Sequence, residues 1–292
     1  MNLRPAALLL AFAALSLHAE EPTITVKKPG VAFPPELASA KIAFVANKTG
    51  HKEIYLCNGD GSHLQQVTRD GVISVGPALT MDGQKLAYTG YQSGYADIYV
   101  IDLASGARNR IIKFPGTNTG AAFSLDGSQI AFTASKDGNP ELYVASASGG
   151  GARRLTHTPW VESSPTWSPR GNEIIYVADG SGSPQLYRIS ASGGNGTRLN
   201  TGYSYCTEPS WSPDGNKVAF VTRSGGFQIA VLDLASGGTK VIASGQDPAW
   251  AADSRHLVFS SGSGLVLFDT LTGAQKTIVS GVGQISEPTM SR

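Results

Sequence analysis

The chain has 292 residues, with 23 lysines and arginines against 22 aspartates and glutamates, a formal net charge of +1. So even a balance lacks the basic excess of a protein that binds nucleic acid or anionic membrane in bulk, and both classes are set aside. Taking away Arg4, in a segment expected to be cleaved, leaves the two signs equal.

Residues 1–19 carry Arg4, then the apolar run Ala6 to Leu17, then Ala19 followed by Glu20-Glu21-Pro22. This order reads as a secretory signal peptide cut after Ala19. The run is too short to span a bilayer as a helix, and no cysteine follows the site to accept a lipid. A soluble, exported, periplasmic monomer without membrane insertion is expected. Residues 20–37 hold four prolines and no repeat, and they end in Phe33-Pro34-Pro35-Glu36-Leu37. Proline favours extended backbone and breaks helices, so an extended arm is expected there.

From residue 38 onward the chain is periodic. The run Ile42-Ala43-Phe44 returns as Leu86-Ala87-Tyr88, Ile130-Ala131-Phe132, Ile174-Ile175-Tyr176, Val218-Ala219-Phe220 and Leu257-Val258-Phe259. The residues just before these runs are Lys41, Lys85, Gln129, Glu173, Lys217 and His256, so the steps are 44 four times and then 39. Ahead of most copies stands a tight turn, clearest in Trp211-Ser212-Pro213-Asp214-Gly215. Proline presets φ there, aspartate bonds its own backbone and glycine takes the left-handed conformation. In the last copy the turn becomes Ala252-Asp253-Ser254, without glycine, and should be the loosest.

Each full repeat carries four strand signals. In the fourth they are Pro165 to Ser168, Glu173 to Ala178, Gln185 to Ser190 and Thr197 to Leu199, separated by Gly, Ser, Asn and Asp clusters. Six such units with a period near 44 predict an all-β fold, a six-bladed β-propeller of four-stranded antiparallel blades over residues 38–292. The first unit lacks its innermost strand, and Glu287-Pro288-Thr289-Met290-Ser291, which lines up with Glu208-Pro209-Ser210-Trp211-Ser212, should supply it. That clasp closes the ring and removes an open sheet edge. Leu79, Phe123, Trp167, Trp211, Trp250 and Met290 share one address in the six inner strands, which suits packing between neighbouring blades. Cys57 and Cys206 fall in the first and fifth repeats, too far apart for a disulfide, so two buried thiols are expected. His51, His63, His157 and His256 are scattered without metal-ligand spacing and read as surface or loop residues.

The repeat Trp-Ser-Pro-Asp-Gly-x-x-(Val/Ile/Leu)-Ala-(Phe/Tyr), with the following Asp97-Ile98-Tyr99-Val100-Ile101-Asp102 or Glu141-Leu142-Tyr143-Val144, resembles the six-bladed propeller of the periplasmic TolB proteins. The resemblance covers about residues 38–292 and leaves out that family's N-terminal α/β domain. It implies a non-catalytic platform in the Tol-Pal cell-envelope system, binding a peptidoglycan-associated lipoprotein or a similar envelope partner through its loop face. Related repeats also form the propellers of some peptidases. Hydrolysis there would need a Gly-x-Ser-x-Gly elbow in an appended domain, and no such pentapeptide occurs. The competing reading is a carbohydrate-binding or polysaccharide-lyase propeller, since fold alone does not give function.

Two features point to one face of the ring. The distance from second to third strand is constant from Lys41 to Tyr55 through Glu173 to Tyr187 but shortens from Lys217 to Ala230 and from His256 to Leu267. The link from Ile242 to Trp250 is shorter than that from Leu199 to Trp211, so the rim should be notched over blades five and six. On the same face, Gly76, Gly120, Ser164, Glu208, Asp247 and Glu287 share an address just before the inner strands. Three carboxylates in consecutive blades should then make an acidic channel mouth, with Glu162 and Gln246 beside it as further partner contacts. The mouth would attract a lysine or arginine of a protein partner. Its lesser alternative is a hydrated divalent cation held by oxygen ligands; no other cofactor is expected.

Overall fold

The computed structural model describes residues 34–291. The expected signal peptide and residues 20–33 of the arm lie outside the described residues. Six four-stranded antiparallel sheets follow one another along the chain. Blade 2 illustrates the order, with inner strand Ser74–Leu79, then Lys85–Gly90, Asp97–Asp102 and outer strand Arg108–Ile112. The fourth repeat comes out as Glu162–Trp167, Glu173–Ala178, Gln185–Ser190 and Thr197–Arg198.

Blade 1 is composite. Its inner strand is Ile285–Met290, paired antiparallel with Lys41–Ala46. The junction is fixed at its end by Ser291, whose N–H donates to the Lys41 carbonyl while its hydroxyl accepts from the Lys41 N–H, both at 2.8 Å.

The shared inner-strand address packs between blades. Trp250 lies with Ala219 and Ile229 of blade 5. Trp211 lies with Ile175, Val177 and Leu186 of blade 4. Trp167 lies with Ala131, Leu142 and Val144 of blade 3, and Met290 with Ala249, Val258 and Leu267 of blade 6. The indole N–H groups of Trp167 and Trp250 donate to the Ala122 and Ser210 carbonyls of the preceding blade, at 2.9 and 3.1 Å. Each ring thus fills a seam and keeps its one donor satisfied. Cys57 and Cys206 are free, buried thiols, and burial pushes Cys57 up to about 12.

Two expectations need correction. The end of the arm is not extended: Pro35–Ala38 forms one helical turn, with proline in the first turn where its missing N–H costs nothing. The turn lowers Leu37, 1% exposed, into the core shared by blades 1 and 6. His256 is not a surface residue. It is buried because its backbone N–H and Nδ1 both engage Asp253, at 2.9 and 2.5 Å. The same bonds span the Asp253-Ser254 turn, the one without glycine. Ser254 takes the left-handed conformation in place of glycine (φ 55°), and its hydroxyl accepts from the Asp214 N–H of blade 5 at 2.9 Å.

Candidate functional site

The inner strands line a central channel, and Gly76, Gly120, Ser164, Glu208, Asp247 and Glu287 ring one end of it. All six have positive φ, at 61, 66, 49, 54, 54 and 55° respectively. Five of these inner strands slip register against their second strand at this point, between Val75 and Ala78, Thr119 and Ala122, Ser163 and Thr166, Thr207 and Ser210, and Gln246 and Ala249. The composite blade slips too. Each is a bulge that turns the strand into the channel wall. Proline follows in all but Gly120, which suits a bulge because the ladder lacks a bond there anyway.

Glycine takes this backbone freely in blades 2 and 3, whereas a side chain with a Cβ is strained by about 1–2 kcal/mol. The three acids offset that strain by reaching to the next blade. Glu208 Oε2 accepts from the Asp247 N–H at 2.7 Å, Asp247 Oδ2 from the Glu287 N–H at 2.9 Å, and Glu287 Oε2 from the Gly76 N–H at 2.5 Å. Ser260 adds a hydroxyl donor to Asp247 Oδ2 at 3.0 Å. The result is a one-way relay of carboxylates from blade 5 through 6 and 1 to blade 2, which ends where glycine has nothing to pass on.

The trio therefore meets at one cavity of about 440 Å³, lined also by Pro209, Pro248 and Pro288. Burial first, and the Asp247 charge second, push the Glu208 carboxyl up to about 8. Burial raises Glu287 as well, against the lowering effect of the bond from Gly76. Among the described residues no group of three or more His, Cys, Asp or Glu has the arrangement to hold a metal ion.

Glu162 is not at the mouth. It is 1% exposed, lies under the rim between blades 3 and 4, and accepts from the Thr158 hydroxyl at 2.7 Å. Its strand begins three residues earlier than the proline signal suggested, which draws it into the seam. Gln246 stands next to Asp247 at the start of its strand, its carbonyl accepting from the Ser260 hydroxyl at 3.2 Å. The left-handed backbone escaped sequence reasoning, although Gly76 and Gly120 at the same address were its signal.

The rim around the mouth has two characters. Over blades 5 and 6 the connections shrink to residues 224–226, 262–263 and the single Gly245. Over blades 1 to 4 they are longer and carry exposed Ile73, Tyr91, Tyr95, Trp160 and Val161. Among the described residues no helix is long and apolar enough to cross a membrane.

The fold and repeats match known proteins. The TolB beta propeller domain family matches residues 36–292. A Protein TolB homolog from Chlorobaculum tepidum is 51% identical over 43 residues, 15% of this chain and 10% of that protein. The matched stretch is thus about a tenth of that relative's length. The crystal structure of TolB from Acinetobacter baumannii superposes with a TM-score of 0.80 at 28% identity, covering 87% of this chain and 67% of that one. An oligogalacturonate lyase from Vibrio parahaemolyticus shares the fold alone, with a TM-score of 0.58 at 14% identity over 82% of this chain and 74% of that one. With the family matched from residue 36 to residue 292, the chain belongs to the TolB β-propeller domain family.

Proposed function

We propose that this propeller is an exported, non-catalytic protein-binding platform of the periplasm that takes a peptidoglycan-associated lipoprotein, or a similar envelope partner, on its mouth face. The observation that carries the reading is the pairing on one face of an acidic cavity at Glu208, Asp247 and Glu287 with an exposed apolar rim at Ile73, Tyr91, Tyr95, Trp160 and Val161. Exposed aromatic and aliphatic side chains on a rigid scaffold supply contact area, and a charged mouth steers an approaching lysine or arginine. The short loops over blades 5 and 6 leave the acids open to approach from that side.

The test is capture of the partner from envelope extract on the immobilised propeller, followed by association kinetics against salt. Replacing Glu208, Asp247 and Glu287 together by Gln, Asn and Gln keeps an oxygen for each backbone N–H and removes the charge. The expected result is an on-rate lowered about tenfold with a flatter salt dependence. An unchanged on-rate and slope would remove the acidic mouth from recognition, and failure to capture any such lipoprotein would overturn the partner.

A further inference from the structure

Three of the six seams between blades, those after blades 2, 3 and 4, repeat a three-residue arrangement just beneath the mouth face. The first residue of a third strand faces the first residue of the next blade's inner strand, with an arginine from the outer strand beside them. Between blades 2 and 3 the three are Asp97, Asn118 and Arg110: the Asn118 amide donates to Asp97 Oδ1 at 3.4 Å and Arg110 to Asp97 Oδ2 at 3.3 Å. Between blades 4 and 5 they are Gln185, Cys206 and Arg198, with Arg198 donating to Gln185 Oε1 at 2.8 Å. Between blades 3 and 4 they are Glu141, Glu162 and Arg154, so the seat of the donating amide is taken by a second carboxyl.

Both carboxyls are shut from water, Glu141 at 0% and Glu162 at 1% exposure. Glu141 Oε1 accepts from Arg154 Nη2 at 2.5 Å and from the Thr158 N–H at 3.0 Å. Glu162 Oε1 accepts from the Thr158 hydroxyl. The second oxygen of each, Oε2 in both, is buried with no donor. Two ionised carboxylates offer acceptors only, so neither could satisfy the other, whereas a single proton would serve both.

Nor does the charge around the pair favour two anions. Asp137 precedes the third strand of blade 3, which carries Glu141 and Tyr143. Asp179 lies in the blade 4 loop, and Tyr176 and Tyr187 stand on the second and third strands of blade 4. Two cations face this group. Arg154 pairs Glu141 at 2.5 Å and lies 3.6 Å from Asp137. Lys136 pairs Asp137 at 2.8 Å and sits over the Tyr143 ring, so only Arg154 answers the two glutamates directly.

We propose that Glu162 keeps a proton near neutral pH and donates it to Glu141, filling the role that the Asn118 amide has one seam earlier, so that the seam between blades 3 and 4 is a proton-operated latch under the Trp160 loop. Thr158 ties that loop to both carboxyls at once, and its hydroxyl also accepts from the Trp160 N–H at 3.0 Å. Trp160 itself rests on Gly180, where the ring leaves no room for a Cβ, and against Tyr187 at 6.2 Å between ring centres. Loss of the proton places a second negative charge beside Glu141 and loosens the anchor of an exposed aromatic on the rim.

Burial first, then the Glu141 charge, push the Glu162 carboxyl up to about 7 from an ordinary 4.5. The folded chain therefore holds a proton that the unfolded chain gives up. Its stabilising share is full below pH 4.5 and is lost as pH rises to about 7.

Three measurements on the full chain test the latch, none of which needs a binding partner. Thermal unfolding of the parent and of Glu162→Gln is followed from pH 5 to pH 8, with Glu208→Gln alongside to account for the mouth. The amide should stay donated at every pH, so E162Q should melt about 5 °C above the parent at pH 8 and match it at pH 5. The emission of Trp160, taken as the difference between the parent and Trp160→Phe, should shift to the red between pH 6 and 8, and the same difference measured in E162Q should not. Carbon-13 spectra of glutamate-labelled protein should show a carboxyl titrating near neutral pH that is absent in E162Q and present in E208Q. An E162Q variant with the parent's pH slope, one that is already destabilised at pH 5, or a labelled parent whose Glu162 titrates with ordinary glutamates would each overturn the latch.

Discussion

The two halves of the mouth solve one backbone problem in opposite ways. In blades 2 and 3 glycine adopts the left-handed bulge without strain and leaves the rim to long loops with exposed aromatic and aliphatic side chains. In blades 5, 6 and 1 acids adopt the same bulge, and each spends its carboxylate on the next blade's N–H, while the loops above them shrink. The acids are therefore staples before they are charges. On the function proposed above, stability and recognition would share the same atoms in that half and be separate in the other.

The sharpest test of the difference is in the seams beneath. Trp250, at 1% exposure between blades 5 and 6, should cost about 3–5 kcal/mol when replaced by alanine. Phe123, the equivalent residue between blades 2 and 3, is only half-buried and should cost clearly less in the same denaturant titration. Equal losses would mean that both seams carry the ring alike.

A smaller effect separates staple from strain at Glu287. Glu287→Ala loses the bond to Gly76 and keeps the left-handed strain, so a loss of about 1–3 kcal/mol is expected. Glu287→Gly loses the same bond and relieves the strain, and should recover about 1 kcal/mol of it. If the two variants unfold at the same denaturant concentration, the bulge is not strained in this half.

A further test lies in the pH dependence. Glu208 titrates near 8 in the folded chain against an ordinary 4.5, so its contribution is full below pH 4.5 and lost as pH climbs to about 8. Glu208→Gln should flatten the fall in melting temperature over that interval. The mouth gains charge over the same range, so association with a cationic partner should quicken with pH in the parent and less so in the variant. Rate and stability moving together would break the link between staple and charge.

Much of this was legible in the residues. The period from Lys41 to His256, the proline-aspartate-glycine turns and the lone strand at Glu287 specified the six blades and their closure, because turn chemistry and strand alternation are local. The address shared by Gly76 and Glu287 was visible for the same reason. What the acids do at that address was not, since their partners are backbone groups of another blade. Glu162 was misplaced because its environment is set by Glu141, a residue on a different sheet. His256 was misjudged on a shorter scale: its partner Asp253 is three residues away, yet only the folded turn brings the ring under cover. Leu37 shows the same limit, its proline-rich neighbours hiding a single turn that exists to seat one leucine in the seam between blades 1 and 6.

The composite first blade has a consequence in time. Lys41 and Ser291 are 250 positions apart and hold each other by one backbone bond and one bond from the Lys41 N–H to the Ser291 hydroxyl. Contacts of such separation slow folding, because nearly the whole chain must be gathered before they form. While residues 285–290 are still being made, the strand Lys41–Ala46 has an unpaired side, and five finished blades have no ring to belong to. Closure of the ring thus waits for the final stretch, and the arrival of that stretch beside Lys41–Ala46 is the event that commits the chain to its shape.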